Sequence, residues 1–174
     1  MRSRWSGTRM YDHDSDTASL AESYTEMSEI LMPDDTNNLG RALGGAILHW
    51  MDIAAAVAGR RFAREQVVTA AMDHVDFRAA IDLGDIVTVQ AYVFATGDTS
   101  MDVKVDVHSE RPETGDYEAT ATSFFTMVAV DDDDGTSAAV PHLECPTEAE
   151  VALRETALDR RRERRRDLLE ATTA

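Results

Sequence analysis

The stretch Asp34-Asp35-Thr36-Asn37-Asn38-Leu39-Gly40-Arg41-Ala42-Leu43-Gly44-Gly45 runs straight into Ala46-Ile47-Leu48-His49-Trp50-Met51-Asp52-Ile53-Ala54-Ala55-Ala56-Val57-Ala58-Gly59. Its first half is turn chemistry, because Asp and Asn favour Asx-turns and glycine permits left-handed backbone. Its second half is apolar for more than three helical turns, with one acid in the middle. Ala46, Trp50, Ile53 and Val57 cover one side of that helix, and Ile47, Met51, Ala54 and Ala58 cover another. A helix apolar on nearly all sides is expected to be buried. Burying Asp52 there is costly unless its carboxylate is hydrogen-bonded, neutralised or used chemically.

Before this stretch, residues 1–18 mix Arg, Ser, Asp and Gly without periodicity and are expected to form a mobile tail. Residues 18–31 alternate imperfectly with a period of two, which predicts a first strand, with a helix as the competitor on local propensity. After the helix, Val67 to Arg78 reads as one strand, Ile86 to Thr96 as a long β-branched and aromatic strand, and Met101 to His108 as a cleanly alternating one. The valines of this last strand face one way and its charges the other, the pattern of a sheet with one wet face. Gly97-Asp98-Thr99-Ser100 predicts a tight hairpin, and Tyr117 to Val130 another strand. Thr147-Glu148-Ala149-Glu150 is a capping-box start for a C-terminal helix over 146–172, with acids early and Arg160, Arg161, Arg162, Arg164, Arg165 and Arg166 late. Docking of those arginines on an acidic body or an acidic neighbouring subunit is favoured over contact with substrate phosphates. The expected fold is α+β: a domain over 19–141 in which one helix is held by an antiparallel sheet. A single such sheet leaves an edge open, so dimerisation is expected.

Composition narrows the function. Thirty-three acids against 17 Lys and Arg give a net charge of -16, which argues against a basic nucleic-acid surface. Lys104 is the only lysine, and an Asp-rich, Lys-poor surface suits a halophilic protein kept soluble in concentrated salt. The single cysteine, Cys145, fits a reducing compartment, no apolar run reaches membrane-spanning length, and Met1 to Asp16 lacks the apolar core of a signal peptide. A cytoplasmic protein that binds neither membrane nor nucleic acid is expected.

The ordered set Asp35-Thr36-Asn37, Gly40, Gly44-Gly45 and Met51-Asp52 resembles the signature of hotdog-fold acyl-CoA thioesterases of the YciA and brain acyl-CoA hydrolase type. Gly84-Asp85-Ile86-Val87, the turn Gly97 to Ser100 and the strand end Phe125-Thr126-Met127-Val128-Ala129-Val130-Asp131 are similar to the same family. The resemblance spans roughly Leu31 to Pro141. It implies a hotdog fold and hydrolysis of acyl-CoA to a fatty acid and CoA. It also implies catalysis by Asp52 and Asn37 from facing subunits, and a hexamer built as a trimer of dimers. Coenzyme A would be part of the substrate, with no separate cofactor. By the same resemblance Thr99 and Ser100 lie near the CoA moiety, although turn hydroxyls commonly serve only local hydrogen bonds.

The residues suit this chemistry physically. A thioester needs an activated water or nucleophile and a group that stabilises charge on its carbonyl oxygen. Free amides at Gly44 and Gly45, where the helix begins, can meet that oxygen. Asp52 can serve as general base or as nucleophile, and Asn37 can orient water or the carbonyl. A satisfied carboxylate and a plain Asx-turn are the bland alternatives for these two. Asp52 lies seven residues past Gly45, about 10 Å along a helix, so one reacting group is expected to take Asp52 from one subunit and Asn37, Gly44 and Gly45 from its partner. His49 reads as a packing or interface residue. His74 and Asp76 share a strand face, but no third ligand accompanies them, so no metal site is expected. A non-catalytic acyl-CoA sensor and a hotdog enoyl-CoA hydratase are the alternative functions.

Overall fold

The computed structural model describes residues 16–173. The expected tail lies outside these residues as far as residue 15. Its last part is ordered: Thr17–Ser19 form strand β1, which pairs in parallel with β8 (His142–Glu144). The limits expected at 19 and 141 stand at the last residue of β1 and just before β8.

The strand expected over 18–31 is broken. Ser19 and Glu22 close a capping box in which the Glu22 carboxylate accepts from the Ser19 amide (3.4 Å) and hydroxyl (3.3 Å). This starts the one-turn helix α1 (Leu20–Ser23), and only then does β2 (Thr25–Ile30) begin. Local capping chemistry outweighs the weak alternation here.

The central helix α2 spans Gly44–Ala63 and ends where Arg64 turns left-handed. It is followed by β3 (Gln66–Met72), β4 (Asp76–Phe77), β5 (Ile86–Thr96), β6 (Ser100–Arg111) and β7 (Asp116–Val130). The strand expected over 67–78 is thus two, because Asp73 leaves the ladder to bond Phe124 and Ser123. The antiparallel sheet runs β2-β5-β6-β7-β3, with β4 also on β7. It wraps α2 in the hotdog arrangement.

Alternation puts Val87, Val89, Ala91 and Val93 of β5 and Val103, Val105 and Val107 of β6 into one core with Ile47, Met51, Ala55 and Phe62 of α2. Only that side of α2 is buried. Ile53, His49 and Asp52 face outward and are exposed within one chain, so the all-round burial expected of this helix is not met by a single subunit.

The outer face of the sheet is drier than its alternation suggests, because α3 (Glu148–Thr173) crosses it. Ala157 and Leu158 pack on Tyr92, Phe94 and Phe124 in a second apolar cluster. The Glu150 carboxylate closes the expected capping box with Thr147 and also accepts the Ala21 amide. The arginine-rich end is docked on acids of the body: Arg161 pairs with Asp73 and Asp102, and Arg164 with Asp76 at 3.1 Å. Their guanidinium groups also lie over the Phe94 and Phe124 rings.

Arg161 is mostly buried between its two acids, so Arg161→Ala strands two carboxylates and is expected to cost about 2–3 kcal/mol. Exposed Arg166→Ala should change stability by no more than about 0.5 kcal/mol. Urea midpoints of the two variants check this; equal midpoints would contradict the clamp.

Candidate active site

The site begins in the loop ahead of α2. Asn37 accepts at its side-chain oxygen from the Leu39 amide (2.9 Å) and the Arg41 amide (3.3 Å), the Asx-turn that its sequence context predicts. Gly40 supplies the positive φ of +70° on which that turn depends. The same loop is stitched to the β5 approach by Ala42 N–H to Ile81 and Leu83 N–H to Gly40. Arg41 adds an ion pair to Asp82. Using the carbonyl of Asn37 locally leaves its NH2 group, on an exposed side chain, to donate outward.

Leu43 caps α2 with its backbone, its carbonyl accepting from Ala46 and Ile47 while its own amide goes to Asp35. The Gly44 and Gly45 amides are the first of the helix and have no carbonyl to bond within it. Both glycines are exposed, and a Cβ on Gly45 would meet nothing within 4 Å, so a ligand has open approach to this backbone. Asn37 lies near the tip of this loop, opposite Arg41, and Gly44 and Gly45 follow at its base, at the positive end of the helix dipole.

Asp52 is elsewhere. It stands two turns along α2, exposed on the outward face, and its Oδ1 accepts from the Thr69 hydroxyl at 2.6 Å. Thr69 belongs to β3, whose other edge has no strand beside it among the described residues. Its hydroxyl also lies 3.6 Å from the Met127 sulfur. Thr69 is the partner of a candidate site residue that sequence reasoning missed. It lies in a run expected to be strand, and nothing local distinguishes it; only packing of β3 on α2 pairs it with Asp52.

Thr99 and Ser100 lie at the opposite end of β5 from the Asn37 loop. Eleven residues of strand put them roughly 30 Å away in the same subunit. Thr99 gives its carbonyl to the Ala129 amide, and the Ser100 carbonyl closes the turn onto Gly97. His49 is exposed on α2. His74 Nε2 bonds Asp76 at 2.7 Å, and Asp76 also takes Arg164. No group of three metal-ligating side chains occurs among the described residues.

A sequence model of the thioesterase superfamily matches residues 39–115. An uncharacterised acyl-CoA thioester hydrolase of Bacillus subtilis, YkhA, is 38% identical over 150 residues, covering 86% of this chain and 87% of that protein. This chain belongs to the acyl-CoA thioester hydrolase family. Membership decides for hydrolase among the functions that the sequence left open. A crystal structure of an apo-hexameric acyl-CoA thioesterase superposes with a TM-score of 0.77 at 39% identity, over 87% of this chain and 97% of that one. An acyl-CoA hydrolase from Staphylococcus aureus, solved with butyryl coenzyme A and coenzyme A, gives a TM-score of 0.76 at 31% identity, over 90% and 95%.

Three alanine variants of the Staphylococcus hydrolase have also been solved, at an asparagine, at an aspartate fifteen positions later and at a threonine seventeen beyond that. In this hydrolase Asn37, Asp52 and Thr69 stand at the same two spacings.

Thr69 fixes one oxygen of an otherwise exposed carboxylate, so Thr69→Ala should lower turnover about tenfold or more, whereas Thr69→Ser keeps the hydroxyl and most of the activity. Equal kcat for the two variants would remove Thr69 from the site.

Proposed function

We propose that this hydrolase cleaves fatty acyl-CoA to a free fatty acid and CoA at a site shared between two subunits. Asp52, held by Thr69, comes from one subunit. Asn37 and the Gly44 and Gly45 amides come from the other. The observation that carries the reading is the pair of unbonded helix-start amides at the base of the loop that carries Asn37, two helical turns from the only acid of α2.

In the reaction, Asp52 takes a proton from water as its oxygen attacks the thioester carbonyl carbon. The charge that develops on the carbonyl oxygen is met by the amides of Gly44 and Gly45, with the Asn37 NH2 group as a third donor. Collapse of the tetrahedral intermediate breaks the carbon–sulfur bond and expels CoA thiolate, which receives the proton held by Asp52. Direct attack by Asp52, giving an anhydride that water then opens, uses the same groups. Every step runs through side chains and backbone, with CoA entering only as part of the substrate and no metal required. Thr99 and Ser100 are assigned to the CoA moiety.

The minimal unit is a homodimer. Among the described residues β3 bonds a strand on one side only, and its Val68 and Met72 are 50% and 43% exposed. Ile53 of α2 adds exposed apolar surface beside Asp52. A second copy laid edge to edge along β3 buries these groups and brings Asp52 toward the partner's helix start. The solved relatives described as hexameric support a trimer of such dimers. Among the described residues no helix is long and apolar enough to cross a membrane. A reducing cytoplasm with no nucleic-acid partner, and high salt for an acidic surface, complete the proposed setting.

Asp52→Ala should lower kcat by two or more orders of magnitude, and Asn37→Ala by about a hundredfold, with the fold retained by circular dichroism. Near-normal release of free thiol by the Asp52 variant would overturn the assignment.

A further inference from the structure

On the face of the sheet turned away from α2, beside α3, is a half-open cavity of about 510 Å3, within the range that binds small organic ligands. Its position separates it from the proposed catalytic groups, which all lie on the α2 side or at the strand ends. The charged groups that line it are Arg78, Lys104 and Arg160 against Asp106 alone. That is a local excess of two positive charges in a chain carrying -16.

The buried part of this charge is already settled. Lys104 is 4% exposed and its Nζ bonds Asp106, whose other oxygen accepts from the Thr122 hydroxyl at 2.7 Å. Burial lowers the pKa of this lysine from its ordinary value. At the far end Glu26 is engaged by Gln90 (2.8 Å) and by Tyr24. The two arginines differ. Arg161 and Arg164 take the nearby aspartates, whereas Arg78 and Arg160 have no acid partner among the described residues. Glu163 and Asp167 line an adjoining smaller cavity with them, yet neither acid bonds either guanidinium. Beside this charge the wall is apolar, made by Ala119, Leu153 and the Tyr92 ring. Deeper, the buried Nδ1 of His108 has no hydrogen-bond partner, and its ring stacks on Tyr117 at 4.9 Å.

A flat two-oxygen anion joined to an apolar chain matches these features. Guanidinium forks bind carboxylates bidentately, and a phosphate or sulfate would leave the apolar wall unused. We propose that the cavity on the outer face of the sheet binds a fatty carboxylate, the chemical class that thioester hydrolysis releases, its head at Arg78 and Arg160 and its chain along Tyr92, Ala119 and Leu153. The inference rests on membership of the hydrolase family and is independent of the roles given to Asp52 and Asn37.

The test is calorimetric titration of decanoate into the native oligomer while a non-hydrolysable decanoyl-CoA thioether fills the catalytic site. Saturable binding of one decanoate per subunit is expected. Both arginines are exposed, so the Arg78→Ala/Arg160→Ala double variant should fold and hydrolyse decanoyl-CoA as the parent does, while binding decanoate at least about tenfold more weakly. Three results would overturn the proposal. Decanoate fails to bind beside the thioether, the double variant binds it as the parent does, or inorganic phosphate binds as tightly and displaces it.

Discussion

A helix is a ruler, and in this hydrolase it is the ruler that dictates the assembly. Gly45 and Asp52 are carried by the same α2, about 10 Å apart along its axis at 1.5 Å of rise per residue. No change of side-chain rotamer alters that separation, and the helix is locked by Ile47, Met51, Ala55 and Phe62 in the core. A thioester carbonyl and the water that attacks it need groups within hydrogen-bond reach of one another. One helix cannot present both its first amides and its mid-point acid to the same few atoms. Two helices brought together across a subunit boundary can.

The rest of the fold can be understood as service to that constraint. The sheet wraps only one side of α2, so Asp52, Ile53 and His49 are left facing out. Among the described residues β3 bonds β7 on one side and leaves its other edge open beside them. Thr69, on this strand, holds the Asp52 carboxylate at 2.6 Å, linking the dimer edge directly to the chemistry. On the opposite face α3 is clamped by Arg161 and Arg164 to Asp73, Asp76 and Asp102. Those aspartates come from β6, from β4 and from the segment that joins β3 to β4. The clamp therefore braces the far side of the sheet region that carries Thr69.

Much of this was legible in the sequence. The long apolar helix, the alternating β5 to β7 and the Asn37 turn follow from local periodicity and turn chemistry, and each appears where those rules put it. Three features were not legible, for identifiable reasons. The first strand breaks because a Ser19–Glu22 capping box starts a helical turn that weak alternation could not reveal. Lys104 alternates like a solvent-facing residue yet is buried, because α3, which starts at Glu148 far along the chain, covers that face. Thr69 carries no motif at all, and its pairing with Asp52 exists only through the packing of β3 on α2. The burial predicted for Asp52 overlooked that an apolar helix can be covered on one side by its own sheet and on the other by a second copy.

The central claim, a site shared between subunits, is tested most directly by mixing two inactive proteins. Asp52→Ala and Asn37→Ala subunits, dissociated together and reassociated, form hybrid dimers in which one of the two sites regains both native residues. With random pairing, half the dimers are hybrids, so thioesterase activity should recover to about a quarter of the native value. If both residues act within one subunit, every site in the mixture still lacks one of them. Activity that stays at the level of the separate variants would contradict the shared site.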